Sequence, residues 1–112
     1  MISHAVAFAL LVAAAPADPA KMPRKDYVRC LENETRSKLE AKAAPEAFDQ
    51  AVGPACAASE AAFKNALISA NMASGLKRPE AEQEASMEAA DYLANAKDMY
   101  REYQETETRP EN

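Results

Sequence analysis

Glycine stands at only two places in this chain, 53 and 75, and those two residues together with seven prolines decide what it can fold into. The segments between these breakers are rich in Ala, Glu, Lys, Leu, Met and Arg, the strongest helix formers. Strand signals, which are β-branched or aromatic runs bounded by turn residues, are absent. Beyond the N-terminal segment, prolines at 19, 23, 45, 54, 79 and 110 and the two glycines mark out three stretches of helix former. The expected fold is all-α: an antiparallel helical hairpin plus a third helix, a small three-helix bundle.

The first helix is expected from about Pro23 to Lys42, with Pro23 tolerated in its opening turn, where the missing N–H has no intrahelical partner anyway. Placed at 100° per residue, Tyr27, Val28, Cys30, Leu31, Thr35 and Leu39 share one arc, with Lys25, Arg29 and Arg36 along an edge beside it. The second helix should run from near Pro45 to near Ser74. An interior Gly53-Pro54 predicts a kink or a fresh start there, and Gly75-Leu76 reads as a left-handed cap with its hydrophobic contact. Phe48, Val52, Cys56, Phe63, Leu67 and Ala70 share its apolar face. Between Gln50 and Leu76 its only charges are Glu60 and Lys64, so it is expected to be the central helix. The third helix, about Pro79 to Glu105, carries a stripe of Ala81, Ala85, Ala89, Tyr92, Leu93, Ala96, Met99, Tyr100 and Tyr103. The domain is expected to span residues 18–105, and residues 106–112 read as a flexible polar tail.

Upstream, an uncharged run from Ala5 to Ala15 ends in Ala15-Pro16-Ala17. A run of this length closing on small-x-small is the pattern of a cleavable signal peptide, here residues 1–17, and it falls short of the roughly 20 residues that span a bilayer. The alternative is a retained membrane anchor. No cysteine stands at the cleavage point, so lipid attachment is not indicated. The expected destination is the periplasm or the exterior, where disulfides persist. Two cysteines are present, Cys30 and Cys56. If the chain reverses near Ala44, antiparallel helices rising about 1.5 Å per residue hold the two within roughly 3 Å of the same height, both on apolar faces. An intramolecular disulfide is expected, worth roughly 3 kcal/mol in the chain-entropy model. The alternatives are an intermolecular bond or a redox pair, and the C-x-x-C spacing of a dithiol catalyst is missing.

Tyr27-Val28-Arg29-Cys30-Leu31, then Ala55-Cys56-Ala57-Ala58-Ser59-Glu60 and an Ala/Phe-rich helix, resembles small exported bacterial proteins of unknown function that carry one cysteine on each of two helices. The resemblance covers about half of the mature chain. It implies a helical fold and an exported location, and it brings no activity and no functional residues.

Composition excludes most chemistry. The one histidine, His4, lies within the signal segment, which leaves no residue for His-based triads, Cys-His dyads, haem attachment or His-rich metal sites. Two isolated glycines build no phosphate loop. Carboxylate pairs could do acid/base work, but that needs a cleft, for which a short bundle has little room. No catalysis, cofactor or metal is expected. All 18 acidic and 13 basic residues follow residue 17, giving a formal charge of -5, which disfavours nucleic-acid and anionic-membrane partners.

The feature that most resembles a site is an acidic edge on the third helix. Glu80, Glu84, Glu88, Asp91, Asp98 and Glu102 fall within about 80° of one another, and like charges four apart cost a few tenths of a kcal/mol per pair. The edge could dock a basic partner or hold a divalent cation weakly. The plainer expectation is a solvated edge partly paired with Lys25, Arg29 and Arg36. Met72, Met87 and Met99 are expected to fill core gaps, and Tyr92, Tyr100 and Tyr103 to pack with wet hydroxyls. Asn33-Glu34-Thr35 matches a glycosylation sequon but lies mid-helix. The alanine sides of the second helix could be a self-association face or the seam for the third helix, so the chain is a monomer or a weak homodimer. Two functions fit these residues: a non-catalytic helical interaction protein (adaptor, chaperone-like binder or inhibitor) with an unknown protein partner, or a small-ligand or cation module with its site between helices.

Overall fold

A computed structural model of the protein describes residues 18–111, so the expected signal segment, residues 1–17, lies outside the described residues. Four helices follow in order: α1 Lys21–Glu40, α2 Pro45–Ala55, α3 Ala57–Ala73 and α4 Arg78–Thr106. The described residues contain no strand. None of these helices is long and apolar enough to cross a membrane.

Helix α1 starts earlier than expected because Asp18 prepares its N-terminus. Asp18 accepts the Ala20 N–H on Oδ1 at 2.9 Å and the Lys21 N–H on its carbonyl at 3.2 Å, so two orphan donors are satisfied before the first full turn. Three helices end by the same device, a residue in the left-handed region whose neighbours close back on the last turn. Gly75 does this for α3 (φ +106), and Lys42 and Glu107 do it for α1 and α4 (φ 54 each). The paired bonds are Ala43 N–H to Lys38 O with Lys42 N–H to Leu39 O, Leu76 N–H to Asn71 O with Gly75 N–H to Met72 O, and Thr108 N–H to Tyr103 O with Glu107 N–H to Gln104 O.

The expected second helix is in fact two, and the count of three becomes four. The chain remains helical through Gly53 and Pro54 and breaks two residues later at Cys56 (φ -108, ψ 15). Pro54 supplies no N–H to the ladder and crowds the preceding turn. The Cys56 N–H is then shared between Val52 O at 3.2 Å and Gly53 O at 3.3 Å, while the Cys56 carbonyl accepts the Glu60 N–H, opening α3. The Cys56 side chain is tied to Cys30, with Cα atoms 5.8 Å apart. Both α2 and α3 pack against α1 and against α4.

Helices α1 and α4 run in the same direction: Arg24 meets Glu88, Tyr27 meets Tyr92, and Leu39 lies beside Tyr103. Two aromatic groups fill the interior. Tyr27, Phe63 and Tyr92 meet at centroid distances of 5.5–6.3 Å, and Phe48 stacks on Tyr100 at 4.2 Å. Tyr27, Phe48, Val52, Phe63 and Tyr100 are fully buried, with Leu31, Cys56, Leu67, Ala85 and Ala89 between them. The apolar faces expected of the helices are therefore the ones that pack. Buried polar groups are satisfied: Thr35 Oγ1 donates to Leu31 O at 2.8 Å, and the Tyr100 hydroxyl donates to Ala43 O at 2.6 Å.

Candidate interaction surfaces

The acidic edge of α4 forms one line, but it does not act as one group. Glu88 is half-buried and lies 3.6 Å from Arg24, which also holds Asp18 at 2.9 Å and sits 5.4 Å from the Phe63 ring centroid. Glu80, Glu84, Asp91, Asp98 and Glu102 are exposed, and among the described residues none of them lies within 4 Å of a cationic group. No three His, Cys, Asp or Glu side chains among the described residues converge as a metal site would require.

The basic edge expected to neutralise this line is largely occupied elsewhere. Arg29 pairs with Asp26 at 3.9 Å, Arg36 lies 3.7 Å from Glu32, and Arg24, one position before the expected Lys25, makes the crossing to α4. A second crossing was not visible in the sequence. Arg101 on α4 grips Asp49 on α2 with both terminal nitrogens, at 2.7 and 3.2 Å. The guanidinium holds the Asp49 carboxyl below the usual carboxylate range, as Arg24 does for Asp18. Asp49 and Arg101 are 52 residues apart, and no helical periodicity links residues on different helices.

The outward side of α3 is a surface of another kind. Ala57, Ala58, Ala61, Ala62, Asn65, Ser69, Met72 and Ala73 are exposed and uncharged. The two charges of the helix, Glu60 and Lys64, pair with each other at 3.3 Å, and Glu60 also accepts the Tyr27 hydroxyl at 3.3 Å. They lie on the α1 side. Burial together with that carboxylate pushes the Tyr27 hydroxyl pKa well up, keeping it neutral. Helix α3 is thus central on one side only, and its alanines are not all seam.

Among the methionines, Met99 is half-buried, whereas Met72 and Met87 are 41% and 60% exposed and fill no core gap. Tyr100 is buried with its hydroxyl on a carbonyl rather than in water, and Tyr92 and Tyr103 are half-buried. Thr35 of the sequon is buried and its hydroxyl is engaged.

Where α1 and α4 end, an open cleft of about 620 Å³ lies between Leu39 and Tyr103, edged by Arg36, Glu40, Lys42 and Gln104. The segment after α4 turns back over it. The chain matches no family model, no curated protein and no solved structure.

Proposed function

We propose that this is an exported, non-catalytic helical interaction protein that works through an exposed helix face. The observation that carries this reading is the outward side of α3, where eight exposed positions from Ala57 to Ala73 bear no charge in a chain that is 28% charged. A helix apolar on all sides is ordinarily covered, and an uncharged strip of small side chains lets another helix approach closely. Export is supported by the signal pattern of residues 1–17 and is compatible with the Cys30–Cys56 disulfide. The acidic edge of α4 is the second candidate face, suited to a basic partner through its five exposed carboxylates. The alternative of a small ligand held between helices has one observation in its favour, the cleft at the ends of α1 and α4.

The test is capture from the native exported fraction under non-reducing conditions, comparing the unaltered chain with Ala58→Glu/Ala62→Glu and with Glu84→Gln/Asp91→Asn. We expect a specific partner to be retained by the unaltered chain and by the carboxamide variant, and lost from the α3 variant while its helix content is unchanged. Equal retention by the α3 variant would remove that face from the reading.

A further inference from the structure

The segment following α4 is bound in a way that describes a second site. After Thr106 the chain reverses at Glu107 and crosses to α1, where Arg36 reaches it. The Arg36 Nε donates to Pro110 O at 3.4 Å and its Nη2 to Glu111 O at 2.9 Å. The half-buried guanidinium thus reaches two successive main-chain carbonyls of the segment with Nε and Nη2, while Nη1 donates to Asn33 Oδ1 at 3.2 Å within α1 and Nη2 lies 3.7 Å from Glu32. Carbonyls are common to every peptide, so this contact recognises extended backbone and not the sequence of this particular segment.

The segment bridges the cleft without filling it. The half-buried Leu39 and Tyr103 supply the cleft's apolar lining with Glu40, Lys42 and Gln104 at the sides, and Glu107, Thr108 and Arg109 of the segment form the remaining wall. Its only ion pair to the helices, Arg109 with Glu40, is 3.9 Å long, and both side chains are more than two-thirds exposed. Beyond Thr108, whose N–H caps α4 on Tyr103 O, the segment is held by two main-chain carbonyls and one exposed charge pair, contacts that a competing peptide can replace.

We propose that the cleft between the C-terminal ends of α1 and α4 binds an extended peptide segment of a partner protein, gripped at its main-chain carbonyls by Arg36, and that residues 108–111 occupy this site in cis. The fitting segment places an apolar or proline side chain over Leu39 and Tyr103 and an acidic residue near Lys42 and Arg36. The inference rests on the reading that the protein acts by binding another protein, but it uses a different face, at the end of the bundle away from α3.

The experiment titrates a fluorescein-labelled peptide with the sequence of residues 107–112 into the disulfide-bonded chain and follows the amide resonances of residues 108–111. A tethered segment competes at an effective concentration in the millimolar range, so binding to the unaltered chain is expected only at millimolar peptide, with those resonances moving toward free positions. Arg109→Ala/Pro110→Gly, which loosens the tether, should tighten binding about fivefold, by reducing this competition. In that loosened background, where the cis competitor no longer masks the effect, Arg36→Ala should weaken binding at least tenfold. Arg36→Lys, which keeps the charge but loses the fork, should also weaken it, with helix content as the check on folding. Ala58→Glu/Ala62→Glu should leave peptide binding unchanged, so failure here and failure of the α3 face are told apart. Peptide binding that is indifferent to Arg36, or that leaves residues 108–111 in place, overturns the proposal.

Discussion

Among the described residues, Arg24 and Arg101 are the two whose guanidinium groups tie α4 to other helices by charge. Arg24 joins α1 to Glu88, and Arg101 joins α2 through Asp49. The second pair gives the fold a pH dependence whose sign is set. The Asp49 carboxyl has a lower pKa folded than unfolded. Its contribution is therefore fully present above the unfolded value, near about 3.9, and fades as pH falls through the folded one. Thermal midpoints of the unaltered chain and of Asp49→Asn should differ near neutrality and converge in acid; a gap that persists at the acid end would show that the carboxylate is not the source. Neither residue could be paired from sequence, because partners on different helices are fixed by the packing angle and not by spacing. For Arg24 and Glu88 the type of contact was legible, a basic edge on α1 against an acidic edge on α4, displaced by one position from where periodicity puts the crossing; for Arg101 and Asp49 nothing was.

At the level of the element, helix faces were readable and helix ends were only partly so. Tyr27, Leu31 and Thr35, then Phe48, Val52, Cys56, Phe63 and Leu67, and Ala81, Ala85, Ala89 and Tyr100 are buried as the 100° placement requires. That works because burial of an amphipathic face follows the backbone repeat directly. The α3 cap was legible because glycine announces a positive φ. The same device at Lys42 and Glu107 was hidden, since neither residue type signals the left-handed region. For the same reason the reversal that carries residues 108–111 back onto α1 could not be foreseen. Gly75 isolates the backbone cost: a Cβ there meets nothing within 4 Å, so Gly75→Ala should destabilise by about 1 kcal/mol through φ alone, read by chemical denaturation. A loss far larger than that would mean contacts are involved. The break in the middle of the chain was assigned to Gly53-Pro54, and the structure moves it to Cys56. A proline disturbs the turn before it, yet the helix absorbs the missing bond until a residue held from outside departs from helical geometry.

Taken as a whole molecule, the fold is held by one continuous core, with an aromatic group towards each end, and by one covalent bond. The Tyr27–Phe63–Tyr92 group ties α1, α3 and α4, and the Phe48–Tyr100 stack ties α2 to α4. The disulfide sits where α2 passes into α3. Cys30→Ser/Cys56→Ser should lower stability by roughly 3 kcal/mol while keeping the helical signal, since the bond closes a loop and the helices do not depend on it. Loss of most helix would instead mean that α1 and α2 cannot pair unaided. The bond and its geometry were legible because two antiparallel helices on either side of a turn place matching heights together.

The parallel course of α1 and α4 also bears on the order of assembly. The cysteines close a link across a sequence separation of 26, whereas the contacts of Arg36 with Pro110 and Glu111 join residues separated by 74 and 75. Short closures cost less chain entropy than long ones, and local contacts form sooner. On that ground α1 with α2 and α3 with α4 are the cheap pairings, and the contact of Arg36 with Pro110 and Glu111 is the costliest to close. The segment over the α1–α4 cleft can settle only once α1 and α4 lie side by side, which makes it the last piece of the fold to form.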